Sequence, residues 1–266
     1  MFTESSFWQR ALRTLALRLF YWVENNYRVD FNANGEAHFL RNLMGYCMDH
    51  RPTPWTFFDV GANKGHYIQL ILDMAPTQAL TVHAFEPTQA CMAHLRAVYD
   101  GHPYVVLNPF GVSDREASVS IYYDQPGSGL ASLYPRHLEG QRTSTFQTES
   151  IQLIPLERYI QEQNINHIHF LKLDIEGHEL AALSGLGRYL SPEFIDFIQF
   201  EYGGANVDSR TYLRDFYHYL EPGGFVIAKI LPQGLQIRPY RSYMENFQYA
   251  NYVAISRPVL SDLRSG

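Results

Sequence analysis

The chain has 266 residues, within the range of one large α/β domain, and 46% of them are hydrophobic, enough for a full core and against disorder. Its 21 basic and 27 acidic residues leave a net charge of −6 and no Lys/Arg block stands out, which excludes a nucleic-acid partner held by charge alone. The two cysteines, Cys47 and Cys91, form no metal-like cluster and point to a reducing, cytoplasmic setting. Aromatic residues reach 15%, and core packing is their default use, with a carbohydrate or polyketide pocket as the alternative.

Residues 7–23 read as an amphipathic helix. Trp8, Ala11, Leu12, Leu15, Leu19, Trp22 and Val23 fall on one face, and Arg10, Arg13 and Arg18 lie off it. The arginines interrupt the apolar run, which excludes a signal peptide, and the run is too short and too charged to span a bilayer. The preferred expectation is a helix packed on the main domain, because stripes at helical spacing are usually core. Peripheral membrane contact or dimerisation is the sharper alternative. A second helix near residues 36–47 completes an N-terminal helical cap over residues 1–54, and Arg51-Pro52-Thr53-Pro54 breaks the chain before the main domain, expected over 55–257 with a short tail at 258–266.

From residue 55 strands and helices alternate. Residues 55–60 read as a buried strand, 80–85 as strand two, 88–99 as its helix, 104–107 as strand three and 118–123 as strand four. Residues 124–149 form the longest unpatterned stretch, expected to be a mobile lid or an acceptor-side loop. Residues 151–154 are extended, 156–163 helical, 169–173 a strand, 179–190 helical, 195–200 a strand and 210–220 helical. Residues 225–230, 235–238 and 252–255 read as strands, with an antiparallel pair closing the sheet.

The first strand ends in Asp59-Val60-Gly61-Ala62-Asn63-Lys64-Gly65, and a helical run follows. Strand, glycine turn and helix present a nucleotide site at a strand's carboxyl end. Gly61 and Gly65 would let backbone approach a ligand without a Cβ in the way. Asp59 selects the ligand, because a loop that grips pyrophosphate avoids a carboxylate at its mouth. Asn63 also stands where G-x-G-x-x-G has its second glycine. A cofactor without phosphate and with a cationic end fits better, and S-adenosylmethionine (SAM) has a sulfonium and an ammonium. Glu86 follows strand two by 86 − 65 = 21 residues past Gly65, near the spacing at which an acid meets ribose hydroxyls. Pro87 stiffens that turn.

This stretch resembles motif I of Rossmann-like SAM-dependent methyltransferases. Phe85-Glu86-Pro87, Val112-Ser113-Asp114, Leu171-Lys172-Leu173-Asp174-Ile175-Glu176-Gly177-His178-Glu179 and Phe200-Glu201-Tyr202 sharpen the likeness to the FkbM family, in that family's order, over roughly residues 55–255. The resemblance implies a class I fold, α/β with a mostly parallel seven-stranded sheet and helices on both faces. It implies SAM as cofactor, held by Asp59, Gly61, Ala62, Asn63, Gly65, Glu86, Pro87 and Asp174, with Ser113 and Asp114 at the adenine end. The implied activity is O-methylation of a small-molecule or glycan hydroxyl.

Asp174, His178 and Glu201 are the candidates for activating the acceptor, in no fixed order. Asp174 ends one predicted strand and Glu201 the next, so both open on one crevice. His178 would act as a base near neutral pH or sit exposed in the first turn of a helix. Glu179 reads as a helix-dipole acid. Asp174 and Glu201 together offer oxygen ligands for Mg2+, which the residues do not require. His167 and His169 read as a strand-surface pair rather than a zinc site, for want of a third ligand. A non-catalytic SAM-binding module and, less well supported, a nicotinamide-dependent oxidoreductase are the alternatives.

Overall fold

The computed structural model describes residues 6–26, 28–75, 79–136 and 146–265. Helices α1 (Phe7–Val23), α2 (Phe31–Asn34) and α3 (Glu36–His50) precede β1 (Trp55–Val60), α4 (His66–Met74), β2 (Leu80–Phe85), α5 (Gln89–Tyr99) and β3 (Val105–Asn108). Then come β4 (Gly111–Val112), β5 (Ala117–Tyr123), β6 (Gln147–Ile154), α6 (Leu156–Glu162), β7 (Ile168–Leu173), α7 (Glu179–Ser184) and β8 (Ile195–Tyr202). The chain closes with α8 (Ala205–Ser209), α9 (Leu213–Leu220), β9 (Phe225–Leu231), β10 (Gly234–Ile237), β11 (Ala250–Ser256) and α10 (Arg257–Ser265).

The main sheet has eight strands in the order β10-β9-β11-β8-β7-β1-β2-β3, one more than expected. Strands β8, β7, β1, β2 and β3 pair in parallel, while β11 lies antiparallel between β8 and β9 and β10 closes the edge antiparallel. Strands β1, β2, β7 and β8 are almost wholly buried on both faces, so they read as mostly apolar runs, as Ile168–Leu173 does apart from His169 and Lys172. The segment expected as strand four is not in this sheet. It pairs with β6 in a separate three-stranded sheet, β4-β6-β5, with its own cluster of Ile121, Ile151 and Leu153.

One face of the main sheet packs Phe57, Phe170 and Phe197 against α3 and α4, and the other packs Phe58, Leu171 and Phe200 against α6, α7 and α9. Helix α3 is part of the first core through Phe39, Leu40 and Leu43. Helix α1 departs from the preferred expectation, because none of its residues is buried. The helix predicted over 179–190 stops at Ser184, Gly185 follows where a Cβ would collide with the Ser113 carbonyl oxygen, and a 3-10 turn spans Gly187–Tyr189. No helix among the described residues is long and apolar enough to cross a membrane.

Candidate functional site

Strand order reverses at β1, which lies between β7 and β2, and a crevice opens beyond the carboxyl ends of these strands. It holds a cavity of about 420 Å³, in the range of small-molecule sites. Val60, Gly61, Ala62 and Asn63 from the β1 turn line one side, and Glu86 and Pro87 from the β2 turn line the next. Lys172 comes from β7 itself, and Asp174, Glu176 and His178 from the turn after it. The small sheet adds an apolar wall that includes Ile121, Ile151 and Leu153.

The two glycines of the β1 turn are also required by the protein's own packing. Gly61 sits at φ 89° and Gly65 at φ 80°, where L side chains are strained. A Cβ on Gly61 would run into the Asp174 carbonyl, and one on Gly65 would lie 2.6 Å from Tyr99 Cε2. Protein, rather than ligand, occupies the space beside each. Asn63 adopts φ 48°, a left-handed conformation that asparagine tolerates, so it does the backbone work of the missing glycine.

Asp59 is fully buried, and neither of its carboxylate oxygens has a hydrogen-bond partner. Its register partner on β7 is Lys172, whose Nζ lies 3.9 Å from Asp59 Oδ1 and 2.8 Å from Asp174 Oδ2. The ammonium is therefore bonded to Asp174 and leaves Asp59 with a distant charge only. Burial pushes the Asp59 carboxyl up to about 6, against the pull of Lys172. Burial also works to lower Lys172, but the charges of Asp174 and Asp59 outweigh it and hold its ammonium above the usual range. An unpartnered buried carboxylate costs free energy, and such groups are matched by a ligand or neutralised.

Glu86 is also buried. Its Oε1 accepts from the Thr88 amide at 2.8 Å and the Thr88 hydroxyl at 2.5 Å, and its Oε2 accepts from the Asn63 amide at 3.0 Å. A carboxylate has about four lone-pair sites, so one acceptor position remains, at Oε2. Burial pushes Glu86 up, and these three donors work in the opposite direction. Ser113 does not line the cavity; Gly111 and Val112 do. The Ser113 hydroxyl lies 3.1 Å from Asp114 Oδ1 and 2.9 Å from His178 Nε2.

The other ring nitrogen of His178 lies 2.9 Å from the Tyr134 hydroxyl. Burial lowers the His178 pKa, so the ring is neutral at physiological pH with both nitrogens engaged. Glu179 is a structural acid, accepting from the amides of Ile175 at 3.0 Å and Gly177 at 3.1 Å.

The structure brings Asp174 and Glu201 together and adds a carboxylate not singled out from sequence, Glu176, with their oxygens within 4.8 Å of one another. Burial, then the charges of Asp174 and Glu176, push Glu201 well above the usual carboxylate range. Burial also pushes Glu176 up to about 7, against Arg136. Arg136 is the cation of this cluster, bonded to Glu176 and 3.3 Å from Asp208. Among the described residues Glu201 alone of the three carboxylates has no hydrogen-bonding or ion-pair partner. Arg136 belongs to a described part of the expected lid that is pinned over the cavity. The Asn63 side chain donates to the Ser128 carbonyl at 3.2 Å and the Ser132 hydroxyl to the Glu176 carbonyl at 2.8 Å. Residues 137–145, at the centre of that expectation, lie outside the described residues.

His167 and His169 are not a surface pair. His169 is buried, accepting the Thr56 amide at Nδ1 (3.0 Å), and His167 Nε2 lies 3.1 Å from Asp196. Asp196 would be the missing third ligand for a metal, but Arg51 already holds both of its oxygens, at 2.8 and 2.9 Å.

Residues 59–228 match the model of the methyltransferase FkbM domain. Comparison with curated proteins returns no match. Among solved structures, methyltransferase FkbM from Methylobacillus flagellatus KT aligns at 17% identity with a TM-score of 0.48, over 78% of this chain and 47% of that one, so this chain spans about half its length. A human methyltransferase 10 domain containing protein aligns at 9% identity and TM-score 0.42, covering 93% of this chain and 97% of that one. Aeropyrum pernix fibrillarin, in complex with natively bound S-adenosyl-L-methionine, aligns at 10% identity and TM-score 0.40, over 81% of this chain and 76% of that one.

Proposed function

The chain belongs to the methyltransferase FkbM domain family, and on that premise we propose that it binds SAM in the crevice beyond β1 and methylates a hydroxyl of a sugar, glycan or other small natural product. The observation that carries the reading is Asp59, a buried carboxylate without a hydrogen-bond partner at the end of β1. SAM supplies, when bound, a methyl group activated by its sulfonium. Asp59 would hold the cofactor's cationic end, and Glu86 would accept a ribose hydroxyl with its remaining lone pair. Gly61, Ala62, Asn63, Gly65 and Pro87 shape the turns around it, and Ser113 and Asp114 would act from behind His178.

An alcohol needs help to lose its proton, and an efficient base has a pKa near the working pH. Glu201 is raised well above the usual carboxylate range and has no competing partner, so it is the first choice as base, with Asp174 orienting the acceptor beside the methyl group. His178 comes third, because Tyr134 and Ser113 occupy its nitrogens. Residues 124–136 would then serve as the acceptor-side wall. The division at residues 54 and 257 is kept as a proposal, with α3 sharing the core of the main domain.

The experiment is calorimetry with S-adenosylhomocysteine and with NAD, followed by mass spectrometry of glycans and metabolites from an extract incubated with enzyme and SAM. Binding of the SAM product and methylation of a hydroxyl are expected. NAD binding in its place would overturn the cofactor assignment, and methyl transfer to nitrogen would overturn the acceptor class.

A further inference from the structure

Helix α1 presents a large apolar face that nothing among the described residues covers. Trp8, Leu12, Leu15, Leu19, Trp22 and Val23 are between 54% and 73% exposed. At 100° per residue these six, with Ala11 and Ala16 at the margins, occupy one unbroken sector about 140° wide. Soluble proteins rarely leave a contiguous patch of this kind facing water. The helix is well formed in its own right, with a capping box in which Ser6 Oγ accepts the Gln9 amide and Gln9 Oε1 the Ser6 amide.

Its orientation is set by the joint at its end. Glu24, Asn25 and Asn26 are buried. Glu24 pairs with Lys229 at 2.9 Å and Arg238 at 2.6 Å, and Asn25 donates to the carbonyls of Asn34 and Ile230. Asn26 donates to the Tyr249 carbonyl at 2.9 Å. Within the helix only Phe20 and Tyr21 are partly covered, and on the helical wheel they lie outside the apolar sector. The body thus holds α1 by its terminus and its opposite side, and the tryptophan face points away.

We propose that α1 is an interfacial helix that docks this protein on an anionic lipid surface. Charge selects the occupant. Residues 7–23 contain Arg10, Arg13 and Arg18 and no acid, although the whole chain has a net charge of −6. A second copy of the helix would bring its own three arginines and no carboxylate to meet them. Anionic headgroups answer Arg13 and Arg18, whose stems reach outward from the two flanks of the apolar sector, while Arg10 lies opposite it. Trp8 and Trp22 supply the amphipathic rings that settle at the boundary between headgroup and acyl chain. The proposal is independent of the methyl-transfer reading, since it concerns binding alone.

The test is cosedimentation of the full chain with vesicles of mixed phosphatidylcholine and phosphatidylglycerol, compared with phosphatidylcholine alone. Binding to the mixed vesicles is expected, weakened by high salt. Leu12→Glu with Leu15→Glu should abolish it. Arg13→Gln and Arg18→Gln should each weaken partitioning about fivefold. None of these side chains is buried, so circular dichroism and the melting temperature should not change. Absence of sedimentation with either vesicle overturns the proposal, and equal binding to both removes its electrostatic half. A dimer by light scattering that dissociates on Leu12→Glu, without vesicle binding, assigns the face to a second copy and overturns it as well.

Discussion

Replacing Asp59 with asparagine separates a ligand-binding carboxylate from a structural one, because the two roles predict opposite changes in stability. The substitution keeps the shape and removes the charge. In the free protein that charge is buried, without a hydrogen-bond partner, and 3.9 Å from an ammonium already bonded to Asp174. Burial raises its pKa from 3.8 to about 6. At 1.36 kcal/mol per pH unit, the roughly two-unit rise sets the cost of the ionised form at about 3 kcal/mol. The sign follows from the direction. A carboxyl raised on folding contributes fully below its unfolded value near 3.8 and loses that contribution as pH rises through about 6. Asp59→Asn should therefore stabilise the free enzyme in urea denaturation at pH 8, by up to about 3 kcal/mol, and leave it nearly unchanged at pH 4. It should at the same time weaken SAM binding by about 1.5–3 kcal/mol, the worth of a charge-assisted hydrogen bond. Calorimetry with SAM at pH 8 measures the second effect. Loss of stability at pH 8, with SAM affinity unchanged, would make Asp59 a counter-ion for Lys172 and refute the reasoning.

Glu86→Gln should raise the dissociation constants of SAM and S-adenosylhomocysteine by the same factor, because both carry the same ribose; calorimetry that finds only one affected contradicts the assignment. Glu201→Gln should keep SAM affinity and lower turnover about 10²–10⁴-fold, with a lesser loss for Asp174→Asn, in a methyl-transfer assay. That activity should be insensitive to EDTA, because Arg136 supplies the positive charge among the three carboxylates; loss in EDTA with recovery on adding Mg2+ would reverse this. Arg136→Met leaves Glu176 and Asp208 without their cation, so limited proteolysis should cut within residues 124–149 faster than in the parent, and an unchanged cutting rate would show that Arg136 does not pin this segment.

Much of the crevice was legible because its signals are local. A strand that ends in Asp59 and a glycine turn, and a second that ends in Glu86-Pro87, carry their meaning within ten residues, and their parallel pairing follows from the alternation of strands and helices. Pairing between distant segments was not legible. Strand β5 reads like another strand of the main sheet, and only β6, which joins it across residues 124–146, takes it into a separate sheet. Helix α8 has no counterpart in the sequence reading, because it is only five residues long and follows Gly203 and Gly204, which carry no helical signal.

The least legible part of the site is the charge balance around Asp174. Read in sequence, Asp174, Glu176 and Glu201 look like an excess of acid, which invites a metal. The compensating charges come from positions that no spacing rule connects to them. Lys172 is legible only as the lone cation inside a buried strand, and Arg136 lies 40 residues before Glu176 in a stretch with no hydrophobic period. Once both cations are in place the acids divide by function. Lys172 takes Asp174, Arg136 takes Glu176, and Glu201 is left without a partner and raised well above the usual carboxylate range. A buried carboxyl with a raised pKa and no competing partner suits the activation of an alcohol. The two cations produce that state indirectly, by pairing with Asp174 and Glu176 and leaving Glu201 without a partner among the described residues.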